Sequence, residues 1–256
     1  MLPIFCLRLA CGLVGALLLL PPALVNQRFY RTHFLIVLGL TVAAAVFLRG
    51  AGEPWLWLAV GGTILSAFLG SLVWSLEGAP ASRALGVVTA LFAVAALCLA
   101  SKETASGQGL GWLIAGELSS AALLGTATTA MLMGHSYLIA PSMSLTPLMR
   151  LLVAFFAALL LRGIFSGLGL WFWIGEHSLN APPTLTPSVG GDEVAIFLPV
   201  RWGIGFVGPL VLGTMAWQTA KIRSTQSATG ILYVVVILTF LGELVGQVLL
   251  RNDLLY

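Results

Sequence analysis

Residues 151–173 read LLVAFFAALLLRGIFSGLGLWFW. This run is long enough to cross a bilayer core, which takes about 20 mostly apolar residues. It carries one ionisable side chain, Arg162. The same pattern recurs along the chain. Apolar segments at about 4–25, 32–49, 54–76, 81–100, 110–135, 147–173, 195–219 and 229–250 predict an all-α, polytopic transmembrane bundle of about eight helices. They leave no room for a soluble domain, so residues 1–256 form a single integral membrane domain.

Composition agrees. The chain is 59% hydrophobic and 8% charged, against about 25% charged in ordinary soluble domains. Its main solvent is lipid. A net charge of +3 without any Lys/Arg run gives no reason to expect nucleic acid. Cys6, Cys11 and Cys98 form no CxxC pair and imply no disulfide framework. Arg8 is a thin basic region, and no clear small-x-small cleavage site follows, so residues 4–25 read as a helix rather than a signal peptide.

The breaks between segments have local causes. Pro21-Pro22 weakens the end of the first helix, and Arg49-Gly50-Ala51-Gly52 separates the second from the third. Glu77-Gly78-Ala79-Pro80 is a turn signal, and Pro141 and Pro147 bracket a loop. The longest connection, about 174–194, holds Glu176, His177, Pro182, Pro183, Pro187, Asp192 and Glu193. It serves equally well as a cap over the bundle or as a plain connector.

Basic residues set the orientation. Arg28, Arg31, Arg83, Arg150, Lys221 and Arg223 fall on one side, and Arg8, Arg49, Lys102 and Arg251 on the other. The excess predicts a bacterial-type inner membrane protein with both termini non-cytoplasmic. Acids other than Glu77 fall on the outer side. Tryptophans mark both interfaces: Trp55, Trp57, Trp112, Trp171, Trp173 and Trp202 outside, Trp74 and Trp217 inside.

Four ionisable residues interrupt apolar stretches: Glu117, Arg162, Arg201 and Glu243. At about 1.5 Å rise per residue they lie roughly 8 to 16 Å from the outer helix ends. Charges at such depth face the bundle interior and pair with one another. Two acids and two arginines balance. Gly163/Gly167 and Gly242/Gly246 form GxxxG spacings beside two of them, which favours close helix packing. An Arg162–Glu243–Arg201 cluster with Glu117 nearby is therefore expected. Its bland reading is a pair of register-fixing ion pairs; its functional reading is an outward-facing pocket for a quinone headgroup, a proton or a small anion. Helices 1–4 read as scaffold.

His33 and His135 fall at the inner interface, where they could ligate one b-type haem or sit as ordinary interfacial histidines. Three histidines cannot serve two bis-histidine haems, which excludes a di-haem cytochrome b. The inner turns around 137–147 and 221–226 face each other and could form a docking surface. The chain carries no HExxH, GxSxG or Walker lysine pattern. No catalytic residue, metal site or covalent cofactor is indicated, and a non-catalytic membrane subunit fits better than a stand-alone enzyme.

Gly242-Glu243-Leu244-Val245-Gly246-Gln247 resembles a segment of the eight-helix membrane anchors of DMSO-reductase-type molybdoenzymes. The resemblance implies a haem-free subunit that exchanges electrons with quinol and works with protein partners. Glu243 is the residue it marks as a quinol contact. Gln247 stands where the family pattern favours arginine, and the His135 loop has no counterpart. A small permease using the same charges, or a structural assembly protein, remains the alternative.

Overall fold

A computed structural model describes residues 1–48, 50, 53–76, 82–104, 109–140, 143–180 and 191–251. Among them the elements are helical: α1 (Leu2–Leu18), α2 (Gln27–Phe47), α3 (Pro54–Val73), α4 (Ser82–Thr104), α5 (Leu110–Ile139), α6 (Thr146–Asn180), α7 (Gly191–Trp202), α8 (Gly208–Lys221) and α9 (Thr225–Arg251). A 3-10 turn, Pro22–Leu24, follows α1, and a π turn, Gly203–Val207, joins α7 to α8 into one rod. The turn signals at 77–80, Pro141 and 181–190 lie outside the described residues, as do the side chains of Glu176, His177, Asp192 and Glu193.

Local chemistry explains where these boundaries differ from the expected ones. α1 stops at Leu18, well short of residue 25, because Pro21 and Pro22 supply no N–H and clash with a preceding turn. α2 starts at Gln27 rather than 32 because the Asn26 side chain accepts from the Arg28 N–H at 3.0 Å, an N-cap. α6 runs on to Asn180, and α7 begins at Gly191. The described residues of the expected loop, 174–180 and 191–194, are thus helical; polar residues past Trp173 end a membrane span without ending a helix. The expected seventh helix is broken. Pro209 cannot donate to the Gly205 carbonyl, and the ladder widens there, with the Gly208 N–H bonding to Gly203 O.

Six helical stretches are long and apolar enough to cross a membrane: Gln27–Phe47, Pro54–Val73, Arg83–Lys102, Thr146–Phe172, Ile196–Lys221 and Thr225–Leu250. This corrects the expected count of eight. α1 is too short at 17 residues, and α5 is diluted by Glu117, Ser119, Ser120, Thr126, Thr128 and Thr129. These two helices occupy the centre. Twelve of the 17 residues of α1 are buried, and all six of those polar residues of α5 are buried as well. A helix enclosed by protein needs no apolar circumference.

α1 packs on α2, α4 and α5, while α5 packs on α1, α6 and α9. The α1–α5 seam therefore joins a first group, α1–α4, to a second, α5–α9. Gly12 and Gly125 allow the seam. A Cβ on Gly12 would overlap the Ala121 carbonyl, and one on Gly125 would overlap the Gly12 backbone. The outside is inverted relative to a soluble protein. Leu91, Leu160 and Trp171 are 65%, 68% and 75% exposed, while Thr41, Thr63 and Thr129 are fully buried. Thr41 and Thr63 bond the carbonyls of Val37 and Ala59, one turn back, at 2.8 and 2.9 Å. Such a surface suits lipid, and the architecture is that of a multi-pass membrane protein.

We predict that Gly125→Val lowers the thermal midpoint in detergent sharply, by the equivalent of about 3 kcal/mol or more, since backbone rather than a movable side chain blocks the new methyls. Gly15→Ala on α1, where a Cβ meets nothing, should leave the midpoint unchanged or slightly raised. Equal responses from the two would refute the close seam.

Candidate functional site

The helix geometry brings charges from five helices to one level. Arg8 on α1, Glu117 on α5 and Glu243 on α9 each sit about two turns inside a helix end. These residues are 3%, 6% and 1% exposed. Arg162 on α6 and Arg201 on α7, at 6% and 5%, complete the set. An unpaired charge at that depth is costly, and the side chains pair closely.

Two subclusters result. In the first, Arg8 donates through Nε and Nη2 to both oxygens of Glu117, a bidentate pair. In the second, Glu243 sits at the centre. Arg162 donates to it through Nε and Nη2, both at 3.0 Å. Arg201 Nη1 donates to Oε1 at 3.2 Å, and the Ser120 hydroxyl donates to Oε2. Backbone and hydroxyl acceptors take further guanidinium protons. Arg162 Nη1 reaches Gly116 O at 3.1 Å, Arg201 Nη1 reaches Gly242 O, and Arg201 Nη2 reaches Ser166 Oγ at 3.0 Å. The Arg201 guanidinium also lies over the Phe206 ring, 5.0 Å from its centroid.

The expected Arg162–Glu243–Arg201 cluster is therefore present, with two differences. Arg8 belongs to the network and is not a topology residue at the membrane surface; helices 1–4 are not pure scaffold. Among the described residues the charges also do not balance, because three guanidiniums face two carboxylates. Sequence spacing could not reveal this. Arg8 lies so near the start of α1 that a surface position is the simpler reading, and only the α1–α5 crossing carries it onto Glu117.

The glycines act unequally. Gly242 meets Gly205 of the π turn, where a Cβ on either would overlap the other's backbone. Gly246 lies against the Arg201 guanidinium, which would collide with any side chain there. On α6, Gly163 and Gly167 make ordinary contacts with Phe206 and Trp202. The α9 GxxxG is thus a close helix crossing, and the α6 one is not.

A cavity of about 70 Å³ adjoins the network. Arg8, Glu117, Arg162 and Arg201 form its polar wall; Trp112, Phe165 and Trp202 form its aromatic wall. Trp112 packs edge-on against Phe165, with ring centroids 5.4 Å apart. Trp112 and Trp202, expected as interface anchors, line this cavity instead. Trp74, also expected at an interface, is 8% exposed and stacks on Tyr30 at 4.1 Å. Glu243 and Gln247 stand behind the cavity wall rather than in it. The Glu243 carboxylate is fully engaged by its donors. Gln247 is 6% exposed, and neither polar atom of its amide has a hydrogen-bond partner.

The histidines are not brought together. His33 on α2 is fully buried, with Nδ1 bonded to Phe29 O at 2.9 Å and its ring against Phe29. His135 on α5 is exposed. α1 packs against both of these helices. At the opposite end from the charges, Tyr137 and Leu138 face Arg223, Ser224, Thr225 and Gln226 across an open depression. The two inner turns do meet there. Compared with protein-family models, with curated proteins and with solved structures, the chain matches none.

Truncating one member of the Arg8–Glu117 pair leaves the other buried and unpaired, at a cost of about 3–5 kcal/mol. We predict that Arg8→Glu and Glu117→Arg each lower the thermal midpoint, and that the double exchange recovers a substantial part of the loss. Strictly additive losses would show that the pairing is not direct.

Proposed function

We propose that the chain is an integral membrane subunit of a redox, quinone-linked complex, with the arginine-lined cavity as its quinone headgroup site. The observation that supports this reading is the composition of the cavity wall. A quinone is a flat ring with two carbonyl acceptors. Guanidinium donors from Arg8, Arg162 and Arg201 suit the carbonyls, and Trp112, Phe165 and Trp202 suit the ring. The site lies in the same half of the bundle as the start of α1 and the end of α9, and apolar residues such as Leu249 and Leu250 line its rim. When bound, a quinone supplies carriage of two electrons and two protons. The chain's own residues bind and orient the ring. Glu243 acts at one remove, by fixing Arg162 and Arg201. In this reading the chain lies in a bacterial-type inner membrane with both termini non-cytoplasmic. The electron donor is a partner protein docked at the end where α6 and α7 project.

A second reading, a small permease, draws on the interrupted α7–α8 rod. Transporters place broken helices at substrate sites, and here the π turn directly follows Arg201 and Trp202. Uptake by the chain alone in proteoliposomes would favour it.

We predict that a short-chain quinone analogue quenches the tryptophan emission of the purified chain saturably. Trp112→Phe with Trp202→Phe should remove most of the saturable component, while Trp55→Phe, at a 66% exposed position, should leave it. Affinity purification in mild detergent should recover redox subunits. A chain that purifies alone and shows no saturable quenching would defeat the proposal.

A further inference from the structure

Among the described residues the buried network carries one positive charge more than it neutralises, and one of its buried donors has no partner. Arg8, Arg162 and Arg201 face only Glu117 and Glu243 among the described residues that pair with them. Arg8 is 97% buried by its 3% exposure, yet its Nη1 has no hydrogen-bond partner. Arg8 lines the cavity, together with the other two arginines. Both Glu117 oxygens are already taken by Arg8, and the Glu243 carboxylate is held by Arg162, Arg201 and Ser120. A guanidinium in an apolar surrounding is stable only when its protons are bonded and its charge is matched.

We infer that the cavity is a site for a monoanionic oxygen group, such as a carboxylate or a deprotonated ring hydroxyl, held among the guanidiniums of Arg8, Arg162 and Arg201. The inference rests on the reading of this cavity as a ligand site and adds the charge of its occupant. The group neutralises the excess charge of the three guanidiniums. The aromatic wall then accommodates a ring attached to the anion. Two sources share this chemistry, a ring-bearing amphiphile and a small free anion. Gln247 stands one turn beyond Glu243 on α9, where residues four apart share a face. It is buried without a partner, so an acid placed there would supply the missing negative charge from within the protein.

The test uses the full chain in lipid nanodiscs, in a buffer of bulky, weakly coordinating anions. Benzoate, nitrate and neutral benzamide are each titrated by calorimetry and thermal shift. The expected result is saturable binding of benzoate and a raised midpoint, with benzamide bound about tenfold more weakly or worse. Nitrate binding as well as benzoate identifies a free-anion site; benzoate alone identifies a ring-bearing anion. Arg8→Met with Glu117→Met removes one guanidinium of the cavity wall together with its paired carboxylate while keeping apolar volume, and should lose the benzoate response. Gln247→Glu should raise the midpoint without any added anion and abolish the benzoate response. Equal binding of benzoate and benzamide, or no binding of either anion, overturns the inference. So does an unchanged benzoate response in the Met pair. Saturable quinone quenching with no anion response would leave the quinone proposal standing and this inference refuted. Benzoate binding without quinone quenching would do the reverse.

Discussion

Burial of charge in an apolar surrounding is the constraint on which the arrangement depends. Five ionisable side chains come from α1, α5, α6, α7 and α9. Each would be costly if it faced lipid. Pairing them fixes the rotation of every one of those helices about its own axis, and fixes their relative depth. Arg8 and Glu117 lock the first helical group to the second. Glu243 then gathers α6 and α7 around α9 through two guanidiniums and receives a hydroxyl proton from Ser120 of α5.

Close packing serves that pairing. Without a hydrophobic force between helices in lipid, small residues and polar contacts carry association. The two backbone contacts fall where the charges need them. Gly12 and Gly125 bring α1 and α5 together about one turn from Arg8 and about two turns from Glu117. Gly205 and Gly242 bring the π turn against α9, next to Glu243. The widened turn set by Pro209 puts Gly205 at that crossing, and Gly246 leaves space for the Arg201 guanidinium. A helix defect, three glycines and a buried arginine thus form one structural unit.

The balance of that unit separates a packing device from a binding site. Two closed ion pairs would fix helix register and need nothing else. Here, among the described residues, the count is uneven, a buried guanidinium nitrogen has no partner, and its residue lines a cavity walled by tryptophan and phenylalanine. The opposite end of the bundle has a depression too, but its polar residues lie in solvated turns around Arg223, which adopts a left-handed φ of 59°.

The sequence by itself determined the solvent, the helical class and most of the site. Lipid demands internally bonded backbone and apolar runs of fixed length, so α2, α3, α4, α6 and α9 are legible as runs of hydropathy. The cost of intramembrane charge made Glu117, Arg162, Arg201 and Glu243 conspicuous for the same reason. Tertiary structure decided the rest. α1 and α5 are central helices shielded by their neighbours, so their length and polarity escape the rule for lipid-facing spans. Arg8 looked like an ordinary basic residue near a helix end, because nothing local records that α1 crosses α5 within backbone contact at Gly12 and Gly125. That crossing turns a balanced set of four charges into an unbalanced set of five, since which helix a side chain meets depends on packing between segments more than a hundred residues apart.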